Sequence, residues 1–150
     1  MDIDLVPIAV VRNSIKELKR DDCQTVVSEI IVNEDLEEAL DQIEGFSHIV
    51  VLYWMHLLPP SQRSVMKVHP RGKLDLPLVG VLATRSPARP NPIGMSTVEL
   101  LEHRNNVLKV VGLDAVDGTP VLDIKPYIPG SDSSAKAKTP GWITKWGLSC

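Results

Sequence analysis

The chain has 150 residues, enough for one domain with a sizeable core and no second domain. Its hydrophobic fraction is 43% and its charged fraction 23%, with a mean hydropathy of +0.02, which excludes a disordered chain and a membrane-embedded one. The net charge is −3, but residues 1–60 hold 4 Lys and Arg against 12 Asp and Glu, whereas residues 61–89 hold 6 against 1, so a polyanionic partner is not excluded.

The opening MDIDLVPIAVVRN is too acidic at its front for a secretory signal. Leu5–Val11 reads as a first strand with both faces largely apolar, and Val26–Val32 as a second, rich in β-branched residues. Asn33 then reads as a helix cap, with Leu36, Ala39, Leu40 and Ile43 at helical spacing and Gly45 as the stop. His48–His56 is the clearest strand, an unbroken apolar run through Trp54 that Pro59 and Pro60 bring to a close. Residues 61–76 form a long basic loop, Pro77–Thr84 a short strand, and Ser86–Pro92 is too rich in proline for a regular element. Met95–His103 and Val107–Leu113 make a hairpin across Arg104, Asn105 and Asn106, and Val121–Ile128 is the last strand. Six or seven short strands with one clear helix point to an all-β fold, a small barrel over residues 1–130 with one or two peripheral helices. Residues 131–150 form a tail whose Trp142 and Trp146 are expected to dock on the body or on a partner subunit.

Familiar site templates are absent. There is no G-x-G-x-x-G, Walker A, H-E-x-x-H or G-x-S-x-G sequence, and four scattered histidines make no metal cluster. Cys23 and Cys150 make neither a disulfide framework nor a zinc site, and they fit a reducing cytoplasm. Two segments stand out. In Thr84–Gly94 three prolines stiffen a loop that carries Arg85 and Arg89, whose planar forks suit carboxylates and phosphates; the alternative is surface arginines paired with carboxylates such as Asp114. In Asp114–Tyr127 the turn at Asp117-Gly118-Thr119-Pro120 gathers aspartates that could hold a ribose or an ammonium; the alternative is a plain turn, with Asp123 paired to Lys125. His56, at the end of an apolar strand, is a ligand or base candidate beside the commoner structural role. Arg63, Lys67, His69, Arg71 and Lys73 lack interleaved aromatics and support phosphate attraction only.

Four stretches carry a resemblance: PIAVVR at residues 7–12, GFSHIVVLYWMH at 45–56, GVLATRSPARPNPIGMSTVEL at 80–100 and LDAVDGTPVLDIKPYIP at 113–129. Together and in this order they resemble the TsaA-like proteins, also called the TrmO, YaeB or VirR family. The resemblance implies a homodimeric β-barrel that binds S-adenosylmethionine without a Rossmann sheet or a metal. It also implies a cytoplasmic tRNA methyltransferase acting on N6 of threonylcarbamoyladenosine at position 37. Carried over by motif, the cofactor residues are His56, Leu57, Arg85, Arg89, Asn91, Met95, Asp114, Ala115, Val116 and Asp117. His56 and Asp117 are candidate bases. Lys125 and Tyr127 line the substrate site or the dimer contact, while Lys67 and Arg71 face RNA. Typical members carry a Pro-Arg-Gln-type segment after the first strand; here residues 13–23 hold none. The open alternatives are a small-molecule or protein acceptor, or a non-catalytic module that binds a nucleotide-like ligand.

Overall fold

In the computed structural model, which describes residues 1–17 and 23–146 with side chains as far as residue 144, alternating apolar residues close a barrel. The strands are β1 (Ala9–Arg12), β2 (Val27–Val32), β3 (His48–Trp54), β4 (Lys67–Val68), β5 (Val79–Gly80), β6 (Ile93–Arg104), β7 (Val107–Val111) and β8 (Pro120–Pro126). Six of them run around the barrel in the order β1-β2-β7-β6-β3-β8, every neighbour antiparallel, while β4 and β5 pair apart from it. Val11, Ile30, Ile49, Val51, Leu108 and Val110 point inward and are almost fully buried. Six strands enclose room for side chains and little else, so the lumen is core and a ligand must bind at a rim or outside.

The all-β barrel agrees with the expectation from sequence, and three local readings change. The first strand begins at Ala9 and alternates buried and exposed, while Leu5 and Val6 lie exposed. The segment joins β8 through Ile8 N–H to Val121 O, just after Pro7, which has no donor. The expected helix is a 3₁₀ helix over Glu34–Leu40, followed by a second over Ile43–Gly45. Asn33 does not cap it: the amide Nδ2 donates instead to Pro7 O. Glu34, Glu37 and Glu38 repel at helical spacing, and Gln42 breaks the run with φ of 72°. Leu36, Leu40 and Ile43 still pack on the barrel, as their spacing demands. Finally, the hairpin turn is Asn105-Asn106 alone, since Arg104 pairs with Val107, and Asn105 takes the left-handed conformation that asparagine tolerates.

Strands β1 to β3 and β6 to β8 direct Arg12, Val27, Trp54, Ile93, Val111 and Pro120 towards one end, called the mouth below. His48, Arg104 and Pro126 lie towards the far rim. Residues 61–76, expected as a basic loop, hold short 3₁₀ turns and β4, and the strand expected over Pro77–Thr84 is the two-residue β5; buried Pro70, Leu76 and Val81 anchor the segment. In the tail Trp142 is partly buried; the side chain of Trp146 and all of Cys150 lie outside the described residues. Cys23 is buried.

At the far rim His103 ties the second 3₁₀ helix to the β6–β7 hairpin. Its Nδ1 lies 2.9 Å from Glu44 Oε2 and its Nε2 2.8 Å from Asn105 O. Two acceptors require the doubly protonated ring, and the hydrogen bond to Glu44 raises the His103 pKa above the ordinary 6.5. A raised folded-state pKa stabilises fully below the unfolded value and loses that contribution as pH rises through the folded value. Thermal unfolding from pH 5 to 9 should therefore show a decline above neutrality that His103→Gln removes; an unchanged profile would contradict this role.

Candidate functional site

Three loops meet at the mouth: the one after β1, the long one between β3 and β6, and Gly112–Thr119 between β7 and β8. The stretch Val81–Pro92 is an arch held by its own polar groups. Thr84 Oγ1 donates to Val81 O, Ser86 N–H to Thr84 Oγ1 and Ala88 N–H to Ser86 Oγ. Arg89 closes it, with Nε donating to Ser86 O and Nη2 to Val81 O and Thr84 O. Arg89, expected as an anion ligand, thus spends these donors on the arch. Arg85 is the arginine left exposed on that frame, and its charge reaches Tyr53. Arg63, though exposed, is likewise engaged, lying over Trp54 at 5.6 Å and donating Nε to Pro90 O.

The loop after β7 is fixed from β1. Asn13 Nδ2 donates to Ser28 Oγ and Ala115 O, its Oδ1 accepts from Ile15 N–H, and its backbone N–H donates to Asp117 Oδ1. Asp117 N–H in turn donates to Ile15 O, and Gly118 N–H to Val11 O. Gly118 sits at φ of 81°, which only glycine adopts without strain, and Thr119 Oγ1 closes the turn on Val116 O. The Asp117 carboxylate also takes a hydrogen bond from Lys16 Nζ. That bond first, and the one from Asn13, hold its pKa below the usual aspartate range. A carboxylate engaged in this way is a weak proton acceptor, and its bonds anchor the turn. The segment without the family's Pro-Arg-Gln pattern is therefore the one that braces this turn.

Asp114 differs. It is partly buried, its carboxylate accepts no hydrogen bond from the described residues, and burial raises its pKa, with Arg71 opposing. Its neighbours Leu113 and Ala115 are buried, which leaves the carboxylate as the polar feature of this stretch. His56 and Leu57 are exposed on a turn fixed by Met55 N–H donating to Pro92 O, and the His56 ring bonds to none of the described residues. Met95 is half-exposed beside Leu52 on the barrel wall, Asn91 lies on the arch, and Val116 is buried within the turn. Lys67 is exposed on β4, whereas Arg71 is partly buried and acts on Asp114, so these two do not form one RNA-facing pair.

Lys125 and Tyr127 fall elsewhere. Lys125 pairs with Asp123 at 2.8 Å, as the alternative reading held. Tyr127 packs its ring against His48 on the far rim, 6.4 Å between centroids. Tyr127 lies six residues on from Val121, a rise of roughly 20 Å, so within one chain it does not reach the mouth. Asn13, Tyr53 and Ser96 were missed by sequence reasoning: an asparagine past a strand end and a tyrosine in an apolar run carry no motif of their own.

The residues exposed at the mouth are a cationic fork, a desolvated carboxylate and apolar Leu57 and Met95. This donor set fits a zwitterionic, sulfonium-bearing nucleoside: the fork for its carboxylate, Asp114 for its cationic or hydroxyl groups, the apolar side chains for its base.

Residues 19–133 match the family model described as the tRNA-methyltransferase O N-terminal domain. The chain is 47% identical over 137 residues to a probable S-adenosyl-L-methionine-binding protein of Methanothermobacter thermautotrophicus, covering 89% of this chain and 96% of that one. It is 46% identical over 101 residues to the tRNA (adenine(37)-N6)-methyltransferase of Escherichia coli, covering 64% of this chain and 42% of the enzyme. A crystal structure of TrmO superposes with a TM-score of 0.76 at 32% identity, over 93% of this chain and 64% of that one. The chain thus spans less than two thirds of these longer relatives. The family match runs from before β2 to the turn after β8, through every part of the mouth except Asn13 to Lys16, and the chain belongs to the tRNA-methyltransferase O N-terminal-domain family.

Proposed function

We propose that the chain is an S-adenosylmethionine-dependent methyltransferase that acts on tRNA, with N6 of threonylcarbamoyladenosine 37 as the acceptor. The observation that carries this reading is the pairing at one mouth of exposed Arg85, on a self-braced arch, with a partly buried Asp114 carboxylate that accepts no hydrogen bond from the described residues. The charges of both act on the Tyr53 hydroxyl. The cofactor, when bound, supplies an electrophilic methyl on a sulfonium. The protein's part is positional: Arg85 and Asp114 orient, while Leu57 and Met95 cover apolar surface and exclude water. The acceptor nitrogen must shed a proton, and the base in this reading is His56, exposed at the rim with a ring that bonds to none of the described residues.

The acceptor approaches over the basic 61–89 segment. Arg63 and Arg89 are committed to the fold, which leaves Lys67 and Lys73, both exposed, as phosphate contacts. The homodimer and the cytoplasmic location belong to this reading. Lys125 and Tyr127, on the far rim, then serve the dimer contact rather than the mouth of their own chain. No helix among the described residues is long and apolar enough to cross a membrane.

Transfer of labelled methyl from S-adenosylmethionine to tRNA with and without threonylcarbamoyl at position 37 tests the proposal. Label should appear only on the modified tRNA. Lys67→Glu should lower transfer about tenfold at moderate salt and leave cofactor affinity within about twofold. Cofactor binding with no label on any tRNA would point to another acceptor class.

A further inference from the structure

We propose that Tyr53 and Ser96 are positioning residues for Asp114, holding its carboxylate at the mouth through a closed ring of three hydrogen bonds onto the Asp114 backbone. Tyr53 Oη donates to Asp114 O at 2.7 Å, and Asp114 N–H donates to Ser96 Oγ at 3.3 Å. The two hydroxyls lie 3.4 Å apart. The one phenolic proton is used on the carbonyl, so the proton between the hydroxyls belongs to Ser96. Each hydroxyl then donates once and accepts once, and the ring closes through the Asp114 peptide groups.

The ring answers a need of the fold. Gly112–Val116 belongs to no strand, so Asp114 has no ladder partner for its N–H and C=O, yet it sits between buried Leu113 and Ala115. Two side chains from adjacent barrel strands, β3 and β6, satisfy both groups. With the backbone held on both sides, the point from which the carboxylate projects is fixed.

Tyr53 cannot slide. Its ring lies across Gly94, paired with it on β6, and a Cβ there would overlap the hydroxyl-bearing edge of the ring. Burial pushes the Tyr53 pKa up to about 12, so the phenol remains a donor through the working range. The charged groups acting here are Arg71 on Asp114, and Arg85 and Asp114 on Tyr53. This inference rests on the mouth being the ligand site only where cofactor affinity is concerned; the positioning itself can be read in the free protein.

The test is a carbon-13 NMR titration of the Asp114 carboxyl in the free protein, assigned with Asp114→Asn, for wild type, Tyr53→Phe and Ser96→Ala. Phenylalanine keeps the ring on Gly94 and deletes only the hydroxyl. The midpoint of Asp114 should fall towards the ordinary aspartate value in Tyr53→Phe, with His48 and Tyr127 signals at the far rim unmoved. Affinity for S-adenosylmethionine should weaken about tenfold. Ser96→Ala opens the same ring and carries the same expectation should Tyr53→Phe fail to fold. A folded variant with the wild-type midpoint overturns the proposal. A shifted midpoint in a protein that binds no S-adenosylmethionine upholds the positioning and overturns the cofactor reading alone.

Discussion

Asn13→Ala should destabilise the protein by about 2–4 kcal/mol, the cost of leaving two or three buried polar groups without partners. The amide donates to Ser28 Oγ and Ala115 O, whose residues are 1% and 2% exposed, and water cannot replace it there. Its Oδ1 also holds Ile15 N–H, and Ile15 O accepts from Asp117 N–H, so the loss spreads to the Asp117 anchor. The Asp114–Asp117 turn would loosen, and cofactor affinity should fall with stability. Denaturant unfolding together with a binding titration checks this; a loss below about 1 kcal/mol would mean that the turn is held by its own hydrogen bonds.

Arg85→Ala should act in the opposite sense, on affinity and not on stability. Arg85 is exposed, and none of the arch hydrogen bonds passes through its side chain. Removing a charge-assisted fork from a ligand carboxylate corresponds to about 10–100-fold in affinity. Calorimetric titration with S-adenosylmethionine should show that loss at an unchanged unfolding temperature. Equal affinity in the variant would take Arg85 out of the site.

The barrel was legible because its signals are local. His48–Trp54 and Val107–Val111 alternate inward and outward with period two, and Asn105-Asn106 is a turn by composition. The helix was misread because spacing predicts which face is buried, not which helical form the backbone takes; Leu36, Leu40 and Ile43 pack as expected on a 3₁₀ frame. The site was legible in part. Proline density and charge marked the arch, but they did not separate Arg85, which is exposed, from Arg89, which is consumed by three carbonyls of its own loop. That difference is set by which way two side chains turn from one rigid loop. Asp114 and Asp117 look alike in sequence for the same reason. One is bonded by Lys16 and Asn13, more than 100 positions away, and the other accepts nothing from the described residues. Non-local partners of this kind leave no trace in spacing.

Charge showed the same limit. Arg63, Lys67, Arg71 and Lys73 read as one phosphate-attracting stretch, yet Arg63 braces the arch and the charge of Arg71 acts on Asp114. What remains for a polyanion is narrower, and Lys67 and Lys73 should account for most of the salt dependence of tRNA binding.

The most direct test is amide chemical-shift mapping of the protein titrated with S-adenosylmethionine. Saturable shifts should cluster at His56 and Leu57, along Arg85 to Met95 and at Leu113 to Asp117. Shifts confined to the far rim, at His48, Lys125 and Tyr127, or no saturable shift at all, would contradict binding at the mouth.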